Sequence, residues 1–213
     1  MPKEYELRFT KYNKINIITK LKELGFKQIH KAIIYEYTVF HHPLKKENTY
    51  IRVRKEFDKI TFTYKANTNK KFVDEYEIDI SNYDVFLKML YMLGFKKAYS
   101  IEKLREKWTE KNCKEIVFDT YPGLPEYMEV ECDSLDNLHK IIKKLNLVEE
   151  KYFNLYKTLY GIKPQKKKLT DLTFDSAKKI FIKKIKYNKN LFKKILKVQK
   201  KYMKSLWIKV IVN

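Results

Sequence analysis

The sequence predicts an α+β fold built on an antiparallel β-barrel with a charged interior and helices packed outside. Three observations predict it. Charged residues recur at i, i+2 in six short segments, with apolar residues between them. Both signs of charge occur in those segments, and they contain all four arginines of the chain, Arg8, Arg52, Arg54 and Arg105. Three of the segments are followed by stretches with helical apolar spacing.

The strand segments run Glu4-Tyr-Glu6-Leu-Arg8-Phe, Arg52-Val-Arg54, Thr61-Phe-Thr63-Tyr-Lys65, Glu75-Tyr-Glu77-Ile-Asp79-Ile, Lys103-Leu-Arg105 and Glu129-Val-Glu131. Residues two apart on a strand share a face, so each segment puts charge on one side and hydrocarbon on the other. For a single segment, a polar face turned to water explains the pattern. Six segments of mixed sign point instead to a sheet curled so that acids and bases neutralise each other across a lumen. Closure also leaves no free sheet edge.

The apolar outer faces then need cover, and helices are available. Asn13–Leu24 carries Ile17, Ile18, Leu21 and Leu24 ahead of Gly25, which suits a helix C-terminus. Ser81 is placed to cap a second helix through Leu93, with Val85, Phe86, Met89 and Leu93 on one face and Gly94 behind. Ser134 is placed to cap a third, with Leu138, Ile141, Ile142 and Leu145 inward. The stretches Glu4 to Phe26 and Glu75 to Phe95 read as an internal repeat of one strand–helix unit, with Glu129-Val-Glu131 and its helix a weaker third copy.

Composition removes other classes. The two cysteines, Cys113 and Cys132, form no C-x-x-C pair, so a disulfide framework and a structural zinc site are both unexpected, and a reducing cytoplasm is the expected location. No signal peptide and no apolar run of membrane-spanning length is expected. His41-His42, His30 and His139 are too scattered for a metal site and are expected at the surface. The net charge of +21 suggests nucleic acid at first, but the stretch 165–213 alone holds 16 lysines against two acids. Abundant Lys, Ile, Asn and Tyr also fit an AT-rich coding sequence. Arginine is more informative than lysine, because its planar fork holds two phosphate or carboxylate oxygens at once.

In order, these segments resemble the CYTH family, also called triphosphate tunnel metalloenzymes. Glu4-x-Glu6-x-Arg8 looks like its E-x-E-x-K signature, with Arg in place of the usual Lys. Arg52-x-Arg54, Thr63-x-Lys65, Glu75-x-Glu77 and Lys103-x-Arg105 follow in the family's order. Asp119 then leads through Gly123 to Glu129-x-Glu131, and Lys151-Tyr152-Phe153-Asn154-Leu155 resembles the family's closing segment. Thr38 stands where an acid is common. The resemblance implies an eight-stranded tunnel over residues 1–162 that acts on a triphosphate compound: inorganic triphosphate, thiamine triphosphate, a nucleotide or an RNA 5′ end. It implies that Glu4, Glu6, Asp119, Glu129 and Glu131 hold Mg²⁺ or Mn²⁺, with Glu75 and Glu77 as further acids. It implies that Arg8, Arg52, Arg54, Lys65, Lys103 and Arg105 grip phosphates. Lys103, Glu4 and Glu6 are the candidate catalytic residues, Lys103 because neighbouring cations lower a lysine pKa; Asp119 could serve equally as base. A cyclase making cyclic AMP from ATP and a non-catalytic binder of triphosphate or RNA ends are the alternative functions.

Residues 163–213 read as a separate lysine-rich amphipathic helical extension. Phe181, Ile185, Phe192, Ile195 or Leu196, Tyr202 and Leu206 keep helical spacing after a possible cap at Asp175 or Ser176. Its partner is either an anionic one, RNA or a membrane surface, or the barrel or a second subunit packed on its apolar stripe.

Overall fold

The computed structural model describes residues 3–44, 47–69, 73–149, 154–162 and 171–211, with side chains to 206. Eight strands are formed: β1 (Lys3–Phe9), β2 (Lys27–His41), β3 (Tyr50–Lys55), β4 (Ile60–Ala66), β5 (Val73–Ile80), β6 (Lys96–Glu110), β7 (Cys113–Thr120) and β8 (Tyr127–Cys132). They close in the order β1-β5-β4-β3-β2-β6-β7-β8, and every pairing is antiparallel. The closing joint is short, with register pairs only at Lys3–Asp74 and Glu4–Val73. The helices are α1 (Lys14–Glu23), α2 (Tyr83–Met92), α3 (Leu135–Leu145), α4 (Leu155–Tyr160), α5 (Ala177–Phe181) and α6 (Lys189–Ile211). Among the described residues no helix is long and apolar enough to cross a membrane.

Because the interior is polar, the apolar cores lie between the barrel wall and the helices. Ile17 and Leu21 of α1 and Leu138, Ile141 and Leu145 of α3 are buried against Phe9, Ile116, Phe118, Met128 and Val130 of the strands. Leu90 of α2 covers Phe40, Ile51 and Val53. The third core joins the extension to the barrel: Phe174, Ala177, Phe192 and Leu196 pack with Leu104, Leu124 and Tyr160. The stagger of the barrel helps here. The β6–β7 pairing begins at Leu104, and the preceding stretch of β6 takes a bridge from Leu172, whose N–H donates to Ser100 O and whose carbonyl accepts from Glu102 N.

Several expectations are corrected. Asn82, not Ser81, caps α2, its Oδ1 accepting from Val85 N at 3.0 Å. Phe86, Leu87 and Leu90 turn α2 onto the barrel, while Val85, Met89 and Leu93 of the expected face stand exposed. Helix α2 is apolar on nearly every side, so periodicity cannot choose its face. His30 is buried, with its ring nitrogens on Tyr35 Oη and Lys31 O. Thr38 lies on the outer face, opposite core residue Val53, and bonds Ser100 Oγ and Tyr83 Oη. Cys113 and Cys132, expected to stay out of disulfides, form one between the start of β7 and the end of β8. The helical spacing of the extension breaks between α5 and α6, where Asn188 takes φ 57°. Trp207–Ile211 continue α6. The start of the extension, 163–170, and the segment Lys151–Phe153 lie outside the described residues.

Candidate active site

Register alone puts the expected residues on one surface. Directly opposed residues share a face, and Glu6 opposes Glu131, Arg8 opposes Glu129, and Arg52 and Arg54 oppose Thr63 and Thr61. Lys65 and Thr63 oppose Glu75 and Glu77, and Arg105 opposes Asp119. The tunnel so formed encloses a cavity of about 370 Å³. Among the described residues seven cations line it: Arg8, Arg52, Arg54, Lys65, Lys103, Arg105 and Lys114. Among the same described residues the carboxylates of Glu4, Glu6, Glu75, Glu77, Glu115, Glu129 and Glu131 face them. Every expected site residue therefore lines the cavity except Asp119, which is completely buried behind Lys103 and Arg105.

At the acidic focus, Glu4, Glu6 and Glu131 each bring a carboxylate oxygen to within 4.8 Å of the others. Lys65 Nζ lies 2.6 Å from both oxygens of Glu4, and Lys114 Nζ lies 2.6 Å from Glu131. Arg8 bridges Glu6 and Glu129 at 2.8 and 2.7 Å. Burial, then the nearby Glu6 carboxylate, pushes Glu4 up to about 8 against the pull of Lys65. Burial, then Glu115, pushes Glu131 up to about 7. Burial acts on Glu6 too, but Arg8 and Lys65 outweigh it and leave this acid below its ordinary value. Crowded, desolvated carboxylates of this kind suit a hard divalent cation, which would relieve their repulsion.

The basic focus is built on Asp119. Arg105 grips it through Nε and Nη2, both at 2.7 Å, and Lys103 Nζ lies 2.6 Å away. Arg105 also reaches Glu129 and Glu115, each at 3.0 Å. These two cations hold Asp119 well below the carboxylate range despite its burial. Burial, then Arg105, lowers Lys103 to about 8 although Asp119 opposes the shift. Arg54 is fixed by Glu56 at 2.6 Å, whereas Arg52 has looser carboxylate partners, Glu77 at 3.5 Å and Glu75 at 3.7 Å.

Sequence reasoning missed Glu115, Lys114 and the aromatic hydroxyls of Tyr37, Tyr50 and Tyr121, all of which line the cavity. Glu115 shares the parity of Asp119 on β7 and was findable by that rule. Tyr50 shares the parity of Arg52 and Arg54 on β3 and was findable in the same way, whereas Tyr37 has no charged residue two positions away to mark its face.

The pattern of the CYTH domain family matches residues 2–154. The chain belongs to the CYTH family. A protein of Methanocaldococcus jannaschii named "Putative adenylate cyclase" is 26% identical over 162 residues, covering 69% of this chain and 91% of its own length. A Pyrococcus horikoshii structure is 27% identical with a TM-score of 0.54, covering 73% of this chain and 97% of that one. A Vibrio parahaemolyticus structure titled "putative adenylate cyclase" has a TM-score of 0.60 at 13% identity, over 73% of this chain and 97% of that one, which supports the tunnel fold alone. The expected CYTH membership and eight-stranded closed barrel therefore hold for this chain.

Proposed function

We propose that this CYTH protein is a divalent-metal-dependent triphosphatase. The mixture of charges in the tunnel carries the reading: among the described residues, arginines, lysines and glutamates line one cavity, and carboxylate oxygens of Glu4, Glu6 and Glu131 lie within 4.8 Å of one another. A triphosphate brings about four negative charges. The tunnel's cations already pair with carboxylates, so divalent cations entering with the triphosphate would offset charge that the paired cations cannot. Glu4, Glu6 and Glu131 are the residues that would hold Mg²⁺ or Mn²⁺, with Glu129, Glu75 and Glu77 nearby in the same lumen. The ion supplies charge neutralisation at the transferring phosphoryl group.

The chain's own residues do the rest. Arg52, with the loosest carboxylate partners, is the first cation free to exchange an acid for phosphate oxygens. Arg54, Lys65, Arg105 and Arg8 complete an array that fixes the chain of phosphates for attack by water. Both oxygens of Asp119 are engaged by Arg105 and Lys103, so we assign it to anchoring those two cations rather than to metal. Lys103 Nζ, lowered to about 8, can move a proton near neutral pH, toward the leaving oxygen or from water.

The test is phosphate release from inorganic triphosphate, thiamine triphosphate, ATP and 5′-triphosphate RNA with Mg²⁺ or Mn²⁺. Glu4→Ala and Glu131→Ala are each expected to lose at least about 100-fold of metal-dependent turnover while staying folded. Full activity in either removes the metal assignment. The second reading, ATP cyclisation, draws on the name of the Methanocaldococcus jannaschii relative. Cyclic AMP among the products would select it, and binding without turnover would select a non-catalytic role.

A further inference from the structure

The loop Tyr121–Leu124 between β7 and β8 is held almost entirely from outside the barrel. Gln199 of α6 is buried and makes three bonds to it: Oε1 accepts from Gly123 N at 2.8 Å, and Nε2 donates to Tyr121 O at 3.1 Å and to Leu124 O at 2.8 Å. Tyr156 of α4 donates to Pro122 O at 2.8 Å, and Tyr160 donates to Gly123 O. Gly123 sits at φ 78°, and a Cβ there would overlap the ring of Phe192 from α6, so helix and loop touch with nothing between them.

What this loop carries into the tunnel is Tyr121. Its ring stacks on Tyr127 at 13° between planes and lies 5.8 Å from Lys103 Nζ, and its hydroxyl bonds Tyr37 Oη at 2.8 Å. Tyr121 and Tyr37 are both cavity-lining residues. Residue 199 is far beyond the stretch 2–154 matched by the family. A glutamine that satisfies one N–H and two carbonyls of a single turn is not replaceable by general apolar packing.

We propose that the C-terminal extension is a working part of the tunnel: Gln199 is a positioning residue that sets Tyr121, and through it the wall beside Lys103, for triphosphate binding. The effect on turnover rests on the triphosphate reading above; the effect on the loop does not. Small misplacements of a binding wall from a distance are costly, on the order of 10- to 100-fold.

The experiment compares the full-length protein with Gln199→Ala, Tyr121→Ala, the double variant, and Phe174→Leu. Phe174 is buried in the same apolar cluster, but its hydrocarbon side chain cannot hydrogen-bond the loop, so it reports destabilisation alone. Hydrogen exchange of the 121–127 segment is expected to rise in Gln199→Ala and to stay unchanged in Phe174→Leu. With inorganic triphosphate and Mg²⁺, Gln199→Ala is expected to raise KM about tenfold with kcat changed less, and Phe174→Leu to leave KM alone. Adding Gln199→Ala to Tyr121→Ala is expected to cost nothing more, since residues acting through one another are not additive. Equal KM shifts in Gln199→Ala and Phe174→Leu, or full additivity with Tyr121→Ala, would overturn the proposal. If the parent turns over no triphosphate, the functional reading has failed, and unchanged exchange of the loop in Gln199→Ala still sinks this one separately.

Discussion

Glu4 and Glu131 are acids held in their protonated form by their surroundings, near 8 and 7 against an ordinary 4.5. Above pH 4.5 the unfolded chain gives up these protons while the folded, metal-free chain keeps them. The folded state then binds more protons, so its stability falls as pH rises toward 8, by at most about 1.4 kcal/mol per pH unit per site. His30, lowered by burial, acts in the opposite direction below 6.5, and Lys103, lowered to about 8, does so above 8. The trend in the window from 6.5 to 8 thus follows the glutamates, Glu131 up to about 7 and Glu4 up to about 8. With a chelator present, the melting temperature is expected to fall across that window, and Glu4→Gln, which fixes the neutral form, is expected to flatten the slope. Added Mg²⁺ or Mn²⁺ should stabilise more at pH 8 than at 6.5, because carboxylates must ionise to ligate. A melting temperature that climbs from 6.5 to 8 in chelator would contradict the crowding of these acids. At this scale the sequence was most readable. Arginines and glutamates stood out because lysine and tyrosine are the background, and alternation gave them a common face. Tyr121 gave no such signal, since its place in the lumen depends on a loop held by residues far along the chain.

The strand–helix units repeat with one spacing: Asn13 and Asn82 cap α1 and α2, and Gly25 and Gly94 end them at φ 82° and 84°. The long strands β2 and β6 that follow then pair with each other. The units themselves were legible because strand alternation, caps and terminal glycines all agree within each. Three details were not. The cap of α2 lay one residue on, the inward face of α2 was undetermined by a helix apolar all round, and the break before α6 rests on a non-glycine residue, Asn188, at positive φ. The cap offers a direct check. Asn82→Ala should lower stability by about 1 kcal/mol in chemical denaturation, whereas Ser81→Ala should change it by only a few tenths. The reverse ranking would restore Ser81 as the cap.

The barrel and the extension share a core, and this decides how the whole molecule should behave when cut. Phe174, Phe192 and Leu196 are buried against Leu104, Leu124 and Tyr160, and each such side chain contributes about 1.5–3 kcal/mol when fully removed from water. Polar contacts run across the same seam. Asp171 accepts from Ser100 N at 2.7 Å and pairs with Lys97, Phe174 N donates to Glu102, and Leu172 occupies the β6 edge that β7 leaves open. Lys189, Lys193, Lys194, Lys197, Lys201 and Lys204 of α6 are exposed, which explains how a strongly basic helix can also be an architectural one. Removing residues 163–213 would therefore expose a strand edge and an apolar patch together, the combination that drives association. We expect the truncated chain to aggregate, or to melt at least about 10 °C below the full chain while binding apolar dyes, given that 1 kcal/mol shifts the melting temperature by roughly 2–4 °C at this size. A truncated barrel that stays monomeric and melts with the full chain would show instead that residues 163–213 are an independent appendage, and would leave their lysines to be explained by an anionic partner.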